Sequence, residues 1–492
     1  MELLIWLIII PLFTIFSIGI FNYINKKFVL PVVFTSAILQ SGIAIYYIVN
    51  RNDLLPQLYN VGNWQNNIAI NLSIDNFTLV IFVLIAIMPL LSLLYSITEI
   101  QRKPAKFYLL INVLLLGASG MVMTADLFNF YVFFEIASIS SYALVAFKDE
   151  DISLEAAFEY LIIGSIGAVF LLLGIVLTYQ ATGTLNMAII PERLADIPVI
   201  TRQVLMSLFI IGLGVKFALV PLHAWMPDAY QGSPISYIVL SSGLVVNVYF
   251  FVLVRILFIF FGVQFFQETI FTNLIVGWGV LSMLFGHGAA LQQDNLKRLF
   301  AYSTIAQLGY VIIAFGLGTE AGIVAGSFHL INHAFLKGAI FFTAGNLYKA
   351  TNSYQIRDMK GLAEKMPVMS IIFVLMLIAM VGIPPSNIFV SKWLILTAAV
   401  EAGYLIPAFT ILVGSFISLG YYLRPVITIY TGYSGFPGKL PLLKFNEYLP
   451  TLFLAGICLL IGLFPGYILN IIDAAPNFLI EQSNFILHIL GG

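Results

Sequence analysis

The sequence predicts an all-α polytopic membrane protein, on the strength of three observations. Hydrophobic residues make up 61% of the 492 residues, and charged residues make up only 9%. The mean hydropathy of +1.01 is too high for a water-soluble protein of this length. Apolar runs of roughly 20 residues, long enough to cross a bilayer as helices, recur about fourteen times. The expected location is therefore the cell membrane.

Charge and cysteine content exclude several partners and cofactors. The formal net charge is −1 and the basic residues are scattered, so no nucleic-acid surface is expected. Cys458 is the only cysteine, which excludes an internal disulfide and leaves an iron–sulfur cluster without ligands. We expect neither a cofactor nor a redox site in this chain.

The first apolar segment, Leu3 to Ile24, is expected to be a retained span. A signal peptide would carry its basic residues before the apolar run, but Lys26 and Lys27 follow it. Two polar interruptions of about twenty residues, Arg51 to Ser73 and Gly183 to Gln203, still contain apolar residues. They are expected to form surface hairpins or amphipathic segments, and no soluble domain is predicted.

The distribution of lysine and arginine predicts the orientation, because short cytoplasmic loops carry an excess of these residues. One set of alternate loops holds only Arg51, Arg193 and Arg202. The opposite set, expected to be cytoplasmic, contains Lys26, Lys27, Arg102, Lys103, Lys106, Lys148, Lys297, Arg298, Lys349, Arg357, Lys360, Lys365, Lys439 and Lys444. This bias predicts an even number of spans with both termini on the outer face.

Five basic residues fall inside apolar segments. Arg255 and Arg424 lie towards predicted helix ends, from which a long side chain can reach the interface. Lys216, Lys337 and Lys392 lie deeper, where insertion of a lysine costs roughly 2.5–3.5 kcal/mol. Buried lysines of this kind indicate an ion pathway by default, so all three are candidate functional residues.

Two of these lysines lie beside predicted helix breaks. Lys216 precedes Pro221 by five residues, and Lys392 follows Pro384 and Pro385. Proline removes a hydrogen bond from a helix, and paired interruptions in two halves of a chain are typical of inverted-repeat transporters with a midplane site. The expected divisions are helices 1–3 in residues 1–106, one five-helix repeat in 107–262, a second in 263–430, and a final helix with a tail in 431–492.

Glu135 lies far from either loop of its apolar run, so it needs a cationic partner or a proton. A static ion pair is the structural alternative, although buried ion pairs gain little stability. We expect Glu135 and Lys216 to form a switchable pair. An ionised Glu135 nearby favours the charged lysine, and separation favours release of the lysine proton.

His329, His333 and Lys337 are spaced four residues apart and are therefore expected along one helix face. Zinc would need further ligands, and the lysine would repel a metal cation. Haem would need a matching ligand histidine on a second helix. The pattern therefore favours a proton path, with no metal.

Three other residues leave alternatives open. His223 either extends the path from Lys216 towards the cytoplasm or caps and packs locally. His287 either lines a cavity or meets a backbone carbonyl. Lys297 either adds to a hydrated path or anchors its helix at the cytoplasmic face.

Several motifs together resemble the antiporter-like subunits of respiratory complex I. They are Asp126-Leu-Phe-Asn-Phe-Tyr-Val-Phe-Phe-Glu135, Lys216 through Pro221-Leu-His-Ala-Trp-Met-Pro-Asp228, Asn295-Leu-Lys-Arg-Leu-Phe-Ala-Tyr-Ser303, His333-Ala-Phe-Leu-Lys337, and Gly382-Ile-Pro-Pro385 with Ser391-Lys-Trp393. The resemblance covers nearly the whole chain. Within this family the sequence is most similar to the D subunit of Mrp-type multisubunit sodium/proton antiporters, or to its counterpart in membrane-bound hydrogenases.

The resemblance implies fourteen helices with two inverted five-helix repeats, partner membrane subunits, and a lateral row of buried charges that moves protons. Glu135 would end the row, Lys216 would lie on the broken seventh helix and Lys392 on the broken twelfth, with Lys337 and its two histidines near the centre. Asn247 and Gln307 stand where many relatives carry lysine and histidine. Transfer past Asn247 would then need a hydrated gap.

Three classes of function compete. A transport subunit is favoured because the charges, breaks and motifs agree, whereas a redox enzyme lacks cofactor ligands. A non-conducting membrane scaffold is the remaining alternative. The chain has no phosphate-binding loop, so partner subunits are expected to supply the driving force, as a redox module or an ion gradient.

Overall fold

The computed structural model describes residues 3–64, 69–432 and 443–490. Its α-helices, in chain order, are α1 (Trp6–Ile24), α2 (Val29–Val49), α3 (Arg51–Leu54), α4 (Thr78–Glu99), α5 (Pro104–Met123), α6 (Leu127–Val145), α7 (Asp151–Thr182), α8 (Ile190–Ala195), α9 (Val199–Lys216), α10 (Trp225–Gly232), α11 (Ile235–Leu240), α12 (Val246–Phe261), α13 (Val263–Glu268), α14 (Phe271–Leu291), α15 (Leu296–Gly316), α16 (Glu320–Thr351), α17 (Leu362–Lys365), α18 (Pro367–Val381), α19 (Asn387–Glu401), α20 (Leu405–Tyr430), α21 (Phe445–Leu463), α22 (Gly466–Ile472), α23 (Ala475–Ile480) and α24 (Gln482–Leu490).

Short 3-10 helices supplement these elements at Leu3–Ile5, Lys26–Phe28, Val61–Asn63, Ala146–Lys148 and Ile356–Met359. In the described residues, the strands form one antiparallel hairpin, β1 (Gln57–Asn60) with β2 (Asn71–Ile74). This hairpin lies within the first polar interruption, and α8 lies within the second. The hairpin and the short helix have the predicted form, but β2 is buried and α8 has three buried residues, so neither is simply a surface element.

Twelve helices of the described chain are long and apolar enough to cross a membrane, which confirms the all-α polytopic class. The 32-residue α16, which carries His329, His333 and Lys337, is not among the twelve. The helices α18 and α19 have only 15 residues each. The count of about fourteen and the two inverted repeats remain predictions.

Both predicted helix breaks are confirmed. The helix α9 ends at Lys216 and α10 begins at Trp225, with Ala218 between them at a φ of 57°. In the second break, Gly382 has a φ of 90° after α18, and the Ser386 hydroxyl accepts a hydrogen bond from the Phe389 amide at the start of α19. Each break lies beside a buried lysine, Lys216 at the first and Lys392 at the second.

A third irregularity lies at the centre of the bundle. The helix α11 continues into α12 through a π-helical turn, Ser241–Val245, and all residues of the three segments are buried. Such π-turns leave the regular i to i−4 hydrogen-bond pattern and are frequent at functional sites. Asn247 follows this turn directly.

The expectation that Arg255 reaches the interface is wrong. Its side chain is only 3% exposed and forms an ion pair with Asp75, which lies just before α4. The guanidinium also donates to the Val122 carbonyl at 2.9 Å and the Thr78 hydroxyl at 3.1 Å. Burial is tolerated because the carboxylate and these two oxygens replace water.

Arg424 behaves differently, because it is partly exposed, forms an ion pair with Asp294 and donates to the Leu291 carbonyl at 2.8 Å. The predicted cytoplasmic residue Lys439 lies outside the described residues.

Candidate functional site

Lys216 lies in an aromatic cage, defined by the rings of Phe134, Tyr142, Tyr160 and Tyr249. Its side chain is fully buried, and its ammonium donates a hydrogen bond to the Tyr142 hydroxyl at 2.6 Å. The nitrogen lies 4.7–5.9 Å from the centroids of the four rings. Ring faces attract a cation, by about 2 kcal/mol or more where water is excluded. The rings and the Tyr142 hydroxyl therefore surround the lysine where an anionic partner would otherwise be needed.

The cage contacts the helix break between α9 and α10. Tyr160 stacks on Trp225 with centroids 3.8 Å apart and planes 7° apart. The indole nitrogen of Trp225 donates to the Val215 carbonyl at 2.8 Å, beside Lys216. A movement of α10 would therefore displace Trp225 and change the surroundings of Lys216.

Glu135 is only partly buried, on the same helix as Phe134 and Tyr142. In the described part of the chain, it forms no ion pair with Lys216 within 4.0 Å. The structure therefore does not bring the two charges into direct contact, and Tyr142 occupies the position of hydrogen-bond partner. The two residues are separated in this arrangement, and the switchable pair stays a prediction.

His223 lies in the segment between α9 and α10 and is partly buried. Its ring contacts those of Phe285 and Tyr302, with centroids 4.6 Å and 6.4 Å away. Its Nδ1 has no hydrogen-bond partner among the described residues. A role in a path from Lys216 thus remains a prediction.

Lys337 is fully buried near the centre of α16. Its ammonium donates to the Ser303 hydroxyl at 2.7 Å and to the Phe300 carbonyl at 2.8 Å. Both partners belong to α15, and Ser303 is also hydrogen-bonded to Tyr422. Neutral oxygens therefore take the place of a counterion.

His329 and His333 follow the same helix as Lys337, with parallel rings 6.4 Å apart. His329 Nδ1 meets the Ser391 hydroxyl at 2.8 Å. His329 Nε2 and both nitrogens of His333 have no partner among the residues that the structure describes. These buried imidazoles could be satisfied by ordered water, so the histidine stripe is polar but not hydrogen-bonded from end to end.

Lys392 is 5% exposed and faces the second helix break. Its ammonium donates to the Val381 carbonyl at 3.0 Å and to the Ser415 hydroxyl at 3.1 Å. A cavity of about 300 Å³ adjoins it, lined also by Phe389 and Trp393. The lysines at the two helix breaks are thus alike, because each contacts neutral oxygens or aromatic rings.

Sequence reasoning missed the cage tyrosines, and it left His287 undecided. Tyr142 follows Glu135 by seven residues, the spacing of one helix face, which is a signal that could have found it. His287 is fully buried and bonds two hydroxyls, with Nδ1 3.0 Å from Tyr421 Oη and Nε2 3.1 Å from Tyr310 Oη. Nothing in the local sequence of α14 marks these distant partners.

Lys297 is buried rather than extended into solvent. Its ammonium donates to the carbonyls of Ser233 at 2.6 Å and Gln231 at 3.3 Å, at the end of α10. Glu99 accepts from the amides of Ile235 and Ser236 at the start of α11. Lys297 thus satisfies backbone carbonyls at the end of α10, and Glu99 satisfies backbone amides at the start of α11.

Asn247 and Gln307 are fully buried. The amide nitrogen of Asn247 donates to the Gly243 carbonyl at 3.0 Å. Its oxygen, and both polar atoms of the Gln307 amide, have no partner within the described ranges. Buried amide atoms without protein partners are expected to bond ordered water, so these positions indicate a hydrated interior.

Residues 124–418 match a family model for the transmembrane region of NADH:quinone oxidoreductase and Mrp antiporter proteins. The chain belongs to this NADH:quinone oxidoreductase/Mrp antiporter family. The matched segment contains both broken helices and every lysine of the row.

Relatives within this family come from both kinds of complex. The NADH-quinone oxidoreductase subunit N of Desulforudis audaxviator is 35% identical over 441 residues, covering 87% of this chain and 86% of the relative. The D subunit of the Na(+)/H(+) antiporter of Bacillus subtilis is 28% identical, and the match covers 98% of each chain. A chain in the structure of an archaeal respiratory membrane complex, the membrane-bound sulfane sulfur reductase, superposes with a TM-score of 0.93 at 34% identity, over 100% of both chains.

These findings establish an antiporter-like, multi-pass membrane subunit of Mrp-like and complex I-like assemblies. Its partners are other membrane subunits. The resemblance inferred from the motifs is confirmed.

Proposed function

We propose that this chain translocates protons through the row Glu135, Lys216, His223, His329, His333, Lys337 and Lys392. Proton uptake and release by buried lysines carries the transport, and sodium exchange belongs to the complex as a whole. A non-conducting scaffold is the competing function.

One observation carries the proposal. Lys216, Lys337 and Lys392 are all at most 5% exposed, yet none has a carboxylate within 4.0 Å among the described residues. Unpaired ammonium groups in a membrane interior are expensive to keep and are typical of ion pathways. A scaffold would have no use for three of them.

The open arrangement of Glu135 and Lys216 supports a switch. A lysine held by rings and a tyrosine hydroxyl loses much of its charge stabilisation if the cage loosens. Approach of Glu135 would restore the charged form, and withdrawal would promote release of the proton. The break between α9 and α10 contacts the cage through Trp225 and Tyr160, so a change in the break would alter the surroundings of the lysine.

The orientation and the divisions of the chain complete the proposal. Counting α16 and the discontinuous pair α18–α19 with the twelve apolar spans gives fourteen crossings. An even count places both termini on one side, and the loop charges favour the outer face. The proposed repeats, 107–262 and 263–430, then contain one broken helix each.

The test is Lys216→Ala in the assembled complex, reconstituted into liposomes with a pH-sensitive dye. Coupled proton transport should be lost while subunit composition and yield stay unchanged. Lys360→Ala, at an exposed cytoplasmic lysine, is the matched control and should behave as wild type. Wild-type transport by the Lys216→Ala complex would instead support the scaffold.

A second experiment concerns the need for partners. The purified chain alone in liposomes should show no robust sodium/proton exchange, since partner subunits are expected to supply the driving force. Exchange by the isolated chain that disappears on Lys216→Ala would contradict this part of the proposal.

A further inference from the structure

The polar groups between Lys337 and Lys392 follow two different courses. One is the histidine stripe of α16, and the other crosses α15, α14 and α20 through His287. Only the first is visible in the sequence. Their hydrogen bonding distinguishes them.

The stripe on α16 is interrupted. His333 has no hydrogen-bond partner at either nitrogen among the described residues, so nothing there joins it to Lys337 or to His329. Proton transfer needs donor and acceptor within hydrogen-bond reach, directly or through one water. This course therefore depends on water at each side of His333.

The course through His287 is hydrogen-bonded at both nitrogens of the imidazole and at both lysines. Lys337 donates to Ser303 at 2.7 Å, and Ser303 is hydrogen-bonded to Tyr422, whose ring centroid lies 4.3 Å from that of Tyr421. Tyr421 meets His287 Nδ1 at 3.0 Å, and His287 Nε2 meets Tyr310 at 3.1 Å. Tyr310 lies beside Lys392, whose ammonium is 4.9 Å from the Tyr310 ring centroid and donates to the Ser415 hydroxyl at 3.1 Å.

The packing keeps His287 in this position. Its side chain and those of Tyr310 and Tyr421 are fully buried. Gly414 makes room for the bridge, because a Cβ at that position would lie 2.5 Å from Tyr310 Oη and 3.1 Å from His287 Nε2.

We infer that His287 is a proton relay between Lys337 and Lys392, bridging the hydroxyls of Tyr421 and Tyr310. This inference rests on the proposed function. Imidazole can accept a proton at one nitrogen and release one from the other. Each hydroxyl passes on one proton as it accepts another, so the relay ends with no net change in charge and with the ring in its other tautomer.

The test compares His287→Gln with His287→Leu in the reconstituted complex. Glutamine can hydrogen-bond both tyrosines but cannot exchange tautomers, whereas leucine does neither. Both variants should lose about a hundredfold or more of the coupled transport rate, the scale of a lost acid–base group. His488→Gln, in the C-terminal helix α24, is the matched histidine control and should retain the wild-type rate.

Assembly is measured by subunit composition after size-exclusion chromatography. If His287→Leu does not assemble, His287→Gln and Tyr310→Phe still decide the question, because Phe keeps the ring and removes only the relay hydroxyl. Wild-type transport by His287→Gln would overturn the relay. Loss in Lys337→Ala but not in His287→Gln would leave the proposed function standing without the relay, and wild-type transport by both would remove the proposed function as well.

Discussion

The Lys216 ammonium and the Tyr142 hydroxyl form a hydrogen bond of 2.6 Å inside a closed aromatic cage. A neutral phenol thus holds the position in which an acidic partner was expected. The phenol favours the ammonium form of the lysine through this hydrogen bond and carries no charge of its own.

Tyr142→Phe removes this hydrogen bond and keeps the ring. A hydrogen bond to a charged group contributes roughly 1.5–3 kcal/mol, so the charged form of Lys216 should be held less strongly. We expect a lower rate of coupled transport with an assembled complex. Tyr179→Phe, on the exposed surface of α7, is the control, and equal rates for the two variants would show that the Tyr142 hydroxyl is not needed.

Gly164→Ala tests the space around the cage. A Cβ at this position would lie 2.2 Å from Tyr142 Oη and 3.0 Å from Lys216 Nζ, so the pair must move apart. We expect impaired transport, measured by dye quenching in liposomes. Gly456→Ala in α21 is the control, because nothing lies within 4 Å of the added carbon, and it should transport at the wild-type rate. A wild-type transport rate for Gly164→Ala would show that the geometry of the cage is not needed.

Glu135→Gln tests the electrostatic switch. Glutamine has nearly the same shape but cannot ionise, so it cannot draw Lys216 into the charged form. Coupled transport should be abolished while the complex assembles normally, and Glu135→Asp should retain part of it. Proton pumping or antiport at the wild-type level in Glu135→Gln would refute the switch.

Cysteine labelling tests the orientation in a Cys458-free background. Cysteines at positions 103 and 360 should react with an impermeant reagent only from the cytoplasmic side, and a cysteine at 193 only from the outer side. All three native residues are exposed, whereas the buried Lys297 is an unsuitable labelling position. Labelling of 103 and 193 from the same side would rule out this topology.

Arg255→Met tests the buried ion pair with Asp75. Removing one partner of such a pair leaves an unpaired buried charge and typically destabilises a protein by about 3–5 kcal/mol. The melting temperature of the complex should fall, and the added substitution Asp75→Asn should recover part of the loss. An unchanged melting temperature for the single variant would show that the pair contributes little.

The membrane class, the two helix breaks and the three deep lysines could all be predicted from the sequence. Each depends on local properties: the length of an apolar run, the missing amide of proline, and the penalty for a charge in lipid. The family resemblance depended on motifs that are contiguous in the chain. Glu135, Lys216 and Lys392 needed no knowledge of their neighbours to be selected.

What surrounds each charge was decided only by tertiary structure. Arg255 lies within an apolar run, like the lysines, yet Asp75 from a position 180 residues away holds it inside the protein. The partners of His287, Tyr310 and Tyr421, come from α15 and α20. A charge or an imidazole buried in a membrane protein needs compensating oxygens or aromatic rings. The periodicity of one helix reveals this need, but it does not reveal which other helices supply the partners.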